Sequence, residues 1–176
     1  HHPDNERVKR RYFVFLKEAK RQNEASVDAA AKAISRFESY TKCRDLKAFH
    51  FEQAVAFKAH LGKQRNDKTD KALSKATLNS TLRALKAFFQ WLALQPGYKS
   101  RLSYTDAEYF NLSEKEARIA TAKRNRPVPT LEQIKRVIAV MPNETVLERR
   151  DRAVVAFTLL TGARDSATAS MKLKHV

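Results

Sequence analysis

The sequence predicts an all-α fold, a bundle of helices followed by a shorter helical segment, and three observations predict it. Apolar residues recur at intervals of three and four through most of the chain, the spacing that lines one face of a helix. Capping residues (Ser, Thr, Asp or Asn) stand before most of these runs, and Gly or Pro follows several of them. Finally, no alternation of apolar and polar residues is convincing before residue 171, where Met171-Lys172-Leu173-Lys174-His175-Val176 has the pattern of a strand beginning. A chain of 176 residues, 43% of them apolar, is long enough to bury a genuine core.

The first helix is expected over 4–22, capped by Asp4 or Asn5, with Val8, Tyr12, Phe15, Leu16 and Ala19 on its apolar stripe. Ser26 is the expected cap of a second, over about 27–42. It turns Val27, Ala30, Ala31, Ile34, Phe37 and Tyr40 inward and Lys32, Ser35, Arg36 and Ser39 outward. A third, about 50–62, has Phe51, Val55, Phe57 or Ala59, and Leu61 as its buried set, with Gly62 at its C-terminal end. Residues 63–73 are polar and charged and read as a solvated loop.

Ser74 then opens the clearest helix, 75–94. Leu78, Leu82, Leu85, Phe89 and Leu92 form one continuous face, Phe88 and Trp91 widen it, and Pro96-Gly97 stops it. The aromatic residues sit at core spacing, which favours packing over a base-stacking platform. A short helix near 105–110 closes the bundle. Residues 111–129 change character: the first part has some helical pattern, while Lys123 to Pro129 reads as an extended basic linker. Thr130 caps a helix with Leu131, Ile134, Val137, Ile138 and Met141 apolar. A further helix, about 146–161, is expected to bury Val146, Leu147, Val154, Val155, Phe157, Leu159 and Leu160. Gly162 ends it, and a last short helix runs from Arg164 to about Met171.

Charge narrows the function. Lys and Arg number 35 against 19 Asp and Glu, a net +16. The excess is spread along the chain. Residues 1–110 carry 22 basic and 12 acidic side chains, and residues 111–176 carry 13 and 7. Both parts are thus suited to one polyanion, nucleic acid being the commonest. Gly62, Gly97 and Gly162 lie too far apart for a phosphate-cradling glycine loop, and no Gly-x-Ser-x-Gly elbow occurs. Cys43 is alone, so a Cys-rich zinc site is excluded and a reducing cytoplasm fits. His50 and His60 have no cysteine partner and read as surface or packed histidines, not metal ligands. No apolar run approaches a membrane span.

Leu160-Thr161-Gly162-Ala163-Arg164 resembles the first catalytic motif of the tyrosine recombinases, or phage integrases. Arg149-Arg150-Asp151-Arg152-Ala153 and Pro129-Thr130-Leu131-Glu132-Gln133-Ile134 are similar to the opening of that family's catalytic domain. Residues 74–92 resemble the last long helix of its core-binding domain. The resemblance implies a SAM-like core-binding domain over 4–110, a basic interdomain linker over 111–129, and the truncated N-terminal part of a catalytic domain over 130–176. It further implies a parent enzyme that integrates or excises a mobile element. That enzyme would cut and rejoin double-stranded DNA through a 3′-phosphotyrosyl link, as a synaptic tetramer, with no cofactor.

Arg164 then matches the first catalytic arginine, a fixed cation for charge developing on the phosphate. The family brings its second and fourth helices to the major groove, which makes Lys32, Arg36, Lys75, Thr77, Asn79, Ser80, Arg83 and Lys86 candidate DNA contacts. It runs its linker across the duplex, which adds Lys123, Arg124 and Arg126. Two departures stand out. Ala167 occupies the position of the family's acidic residue three after the arginine, with Asp165 nearby on a different helical face. All five tyrosines, Tyr12, Tyr40, Tyr98, Tyr104 and Tyr109, precede Arg164, so this stretch is expected to bind DNA without cleaving it. A helical DNA-binding regulator or architectural protein without catalysis is the alternative, and a basic helical RNA-binding protein is a third.

Overall fold

The computed structural model describes residues 2–65, 70–123 and 127–172. The chain divides into two compact units, residues 1–123 and 124–176. Among the described residues both are helical, and the only β-pairing is an isolated antiparallel bridge between Arg65 and Ala72.

In the first unit α1 (Pro3–Val14) starts with proline at its first turn, where the missing N–H costs no hydrogen bond, and with Asp4 and Glu6 near its positive end. It continues as a π-helical stretch, Phe15–Ala19. Val8, Tyr12 and Leu16 are buried, whereas Phe15 is half-buried against Trp91 and Ala19 is exposed. Helix α2 (Glu24–Tyr40) begins earlier than expected, because Asn23, not Ser26, is its cap: the Asn23 side-chain oxygen Oδ1 accepts from the Ser26 N–H at 2.9 Å. Val27, Ala30, Ala33, Ile34 and Phe37 face the core, and Ala31 is only half-buried.

Helix α3 (Phe51–Lys63) corrects the expected face. Ala54, Phe57 and Leu61 are buried, while Phe51 and Val55 are 41% and 45% exposed. Apolar residues sit on two sides of this helix, and packing selected the side that brings Phe57 to Phe37. Phe51 covers Tyr109 instead, with ring centroids 4.9 Å apart. Gly62 lies in the last turn as the penultimate helical residue, and Gln64, in an extended conformation, ends the helix.

Helix α4 (Lys75–Leu92) has the expected cap, Ser74 accepting from the Thr77 N–H at 3.1 Å, and buries Leu78, Leu82, Leu85, Phe88, Phe89 and Leu92. A 3-10 helix, Tyr104–Phe110, places Ala107 and Phe110 in the same core. There the Phe37 ring meets Phe57 and Phe89 at 5.2 Å each and Phe49 and Phe110 at 6.0 Å each. Helix α5 (Glu114–Thr121) packs on α4. The first compact unit therefore runs to Lys123, past the boundary expected at 110 and into the segment expected to be linker. Its cap was legible as Ser113-Glu114-Lys115-Glu116, the Ser-x-x-Glu signature of a helix start.

The second unit holds α6 (Leu131–Val140), α7 (Val146–Thr161) and the short α8 (Asp165–Ala169). Reciprocal side-chain caps open the first two: Thr130 with Gln133, and Thr145 with Glu148. Gly162 closes α7 in the left-handed conformation, φ +64°, as its position after the apolar run requires. The expected burial along α7 is not observed. Phe157 and Leu159 are half-buried, but Val146 and Leu160 are 80% and 85% exposed, and none of this unit's described residues is fully buried. The strand expected from 171 falls largely on 173–176, outside the described residues. With little apolar burial to hold it closed, the second unit is expected to exchange its amide hydrogens well before α2 and α4 do. Uniform protection across 27–92 and 131–169, measured on the monomer, would contradict that.

Candidate nucleic-acid interface

The basic candidates of α4 lie along the flank left clear of its Leu/Phe stripe, and the structure treats them unequally. Lys75 forms a 2.6 Å ion pair with Glu116 of α5, and this hydrogen bond, helped by the Ser113 hydroxyl, holds the Glu116 carboxyl below the usual carboxylate range. Lys86 pairs with Glu108 at 2.6 Å and also reaches Asn111 at 3.2 Å. Glu108 is likewise held low, first by Lys86 and next by Asn111. These two lysines tie α5 and the 3-10 helix to α4.

Thr77 is engaged at the helix cap, its hydroxyl 2.9 Å from that of Ser74, and the Ser80 hydroxyl donates to the Thr77 carbonyl at 3.0 Å. Asn79 is half-buried and Arg83 exposed; both line an open cleft of about 710 Å³ between α4 and α5. Lys32 and Arg36 lie four residues apart on the exposed side of α2, an arrangement α-helical geometry turns to one face. Lys123 is exposed at the end of the first unit, while Arg124 and Arg126 lie outside the described residues.

Residue-pattern reasoning missed Arg118 of α5, which lines the same cleft as Arg83. Its segment has few large apolar residues, and reading it as linker hid the face it shares with α4.

Arg164 stands in the second unit. It occupies the cap position of α8 in an extended conformation, two residues after left-handed Gly162, with its side chain exposed. The turn leaves the guanidinium at a helix start, free to meet a ligand. Asp165 does not support it: its carboxylate accepts from the Ser166 N–H at 2.7 Å. Arg149, at the opposite end of α7, has a structural task, donating to the Asn143 and Glu144 carbonyls at 3.2 and 2.9 Å and so fixing the α6–α7 turn.

His50 lies 3.6 Å from Glu52, and His60 rests against Tyr40 and Gln64. Among the described residues no group of His, Cys, Asp and Glu could hold a metal ion, and no helix is long and apolar enough to cross a membrane.

No protein-family model matches the chain, and no match is found among curated proteins or solved structures.

Proposed function

We propose that this chain is the DNA-binding part of a tyrosine-type site-specific recombinase. In this reading the first unit grips duplex DNA, and the second carries the first catalytic arginine of a parent enzyme that works as a tetramer on DNA. One observation carries the reading. In Thr161-Gly162-Ala163-Arg164 a left-handed glycine ends a long helix and sets an exposed arginine at the start of the next. A guanidinium so placed has a rigid base and open donors, which is what stabilising a transferring phosphodiester demands. The net charge of +16 supports a polyanionic partner.

The alternative, a helical DNA-binding regulator without catalysis, is favoured by Ala167 at the acidic position of the family pattern and by Asp165 bonding to Ser166 and not to Arg164.

The 176-residue chain is expected to bind duplex DNA with steep salt dependence, log K falling against log salt with a slope of about −0.9 per phosphate contacted. Duplex DNA is expected to outcompete duplex RNA, whose narrow major groove excludes helices. On a nicked suicide duplex the chain should form no denaturant-resistant adduct, because no tyrosine follows Arg164. A flat salt response would sink the DNA reading. A covalent adduct would sink the assignment of Arg164 to an incomplete catalytic set.

A further inference from the structure

We propose that the cleft between α4 and α5 seats the sugar–phosphate backbone of duplex DNA, gripped from opposite walls by Arg83 and Arg118. This rests on the DNA-binding reading above and deepens it, because it turns α5 from linker into part of the interface.

The cations around the cleft divide into two kinds. Lys75 and Lys86 are committed to Glu116 and Glu108, and those pairs hold the cleft's second wall and its rim in place. Arg83 and Arg118 are exposed, line the cleft from α4 and α5 respectively, and carry no ion pair or side-chain hydrogen bond among the described residues. A guanidinium offers a planar fork of donors that fits phosphate oxygens in pairs, which a lysine does not. Leu82 and Phe110 contribute to the lining and belong to the core, so the walls stand on a rigid base. At about 710 Å³ the cleft is open and roomy enough for a stretch of backbone, not only a single ion. One carboxylate opposes the assignment in sign: Glu114 also lines the cleft and has no ion-pair partner among the described residues. It should repel the strand, and that repulsion gives the proposal its most discriminating test.

The experiment is a fluorescence-anisotropy salt titration of the full chain with a labelled random-sequence duplex, each variant first checked for wild-type circular dichroism. Arg83→Gln and Arg118→Gln should each reduce the steepness of the salt slope by about 0.9, and the double variant by about 1.8, the loss of one phosphate contact apiece. Glu114→Gln should bind more tightly than wild type. Arg21→Gln removes the same charge outside the cleft, at a residue paired with Glu18 3.6 Å away, and should leave the slope at the wild-type value. If wild type binds with a steep slope while Arg118→Gln behaves as Arg21→Gln does, or Glu114→Gln binds no tighter, the cleft assignment is overturned and the DNA reading stands. If wild type itself shows no salt-dependent binding, the DNA reading fails first.

Discussion

Leu82→Asp is expected to abolish the fold of the first unit. Leu82 is 1% exposed and lies on the continuous face with Leu78 and Leu85. Truncating such a leucine to alanine costs about 2–5 kcal/mol. Aspartate adds the cost of burying a carboxyl with no partner, another few kcal/mol even if it stays protonated. Domains are stable by only about 5–15 kcal/mol, so the sum consumes most or all of the margin. Most of the helical circular dichroism and the first unit's cooperative thermal transition should disappear. Arg83→Glu, one residue along and exposed, should melt like wild type while binding DNA more weakly. Equal melting of the two variants would show that the core face of α4 has been misassigned.

Glu38→Ala is expected to be the most destabilising single change outside the apolar core. Asn5, fully buried, donates to the Glu38 carboxylate at 3.2 Å and to the Arg44 carbonyl at 3.0 Å, and accepts from the Leu46 N–H at 3.1 Å. Lys9 reaches the other Glu38 oxygen and also pairs with Glu6 at 2.7 Å. This network fastens α1 to the end of α2 and to the turn that follows. Removing one partner of a buried ion pair costs about 3–5 kcal/mol. Because Lys9 retains Glu6, the loss should fall near the lower end, about 3 kcal/mol, read as a drop in the denaturant midpoint.

The same site has a pH signature. Burial alone would lower Lys9, but the hydrogen bonds to Glu38 and Glu6 outweigh it and hold the ammonium above the usual lysine value. A raised folded-state value means the stabilisation is complete below the unfolded lysine range, about pH 10, and is lost as pH climbs through the folded value. Thermal melts from neutral to strongly alkaline pH should record that fall, and Glu38→Gln should make it shallower. Identical alkaline limbs in the two proteins would remove the network from the account.

The outline of the fold was legible wherever signals were local. The Leu78/Leu82/Leu85/Phe89/Leu92 spacing, the Ser74 and Thr130 caps and the Gly162 stop each act within a few residues, and each stands where expected. The outward face of α2 was also a local signal: Lys32 and Arg36 are exposed, as its periodicity requires. Helix α3 was ambiguous, since Phe51, Val55, Phe57 and Ala59 offer more than one apolar stripe. Periodicity counts apolar residues but does not weigh which stripe has a partner. The candidate site was legible in residue type and not in use. Lys75 and Arg83 share a helix and a charge, yet one holds α5 and the other is open.

The sequence by itself determined that the chain is helical, basic in both parts, capped at Ser74 and Thr130 and provided with an arginine just after a helix-ending glycine. These follow from steric preferences and hydrogen bonds spanning at most about one helical turn. Only the tertiary structure decided that α5 leans on α4, that Glu116 and Glu108 engage Lys75 and Lys86, that Asn5 and Glu38 meet across 33 residues, and that α7 buries so little. Those outcomes rest on which faces come together in space, and a one-dimensional pattern holds no record of a neighbour that arrives from far along the chain.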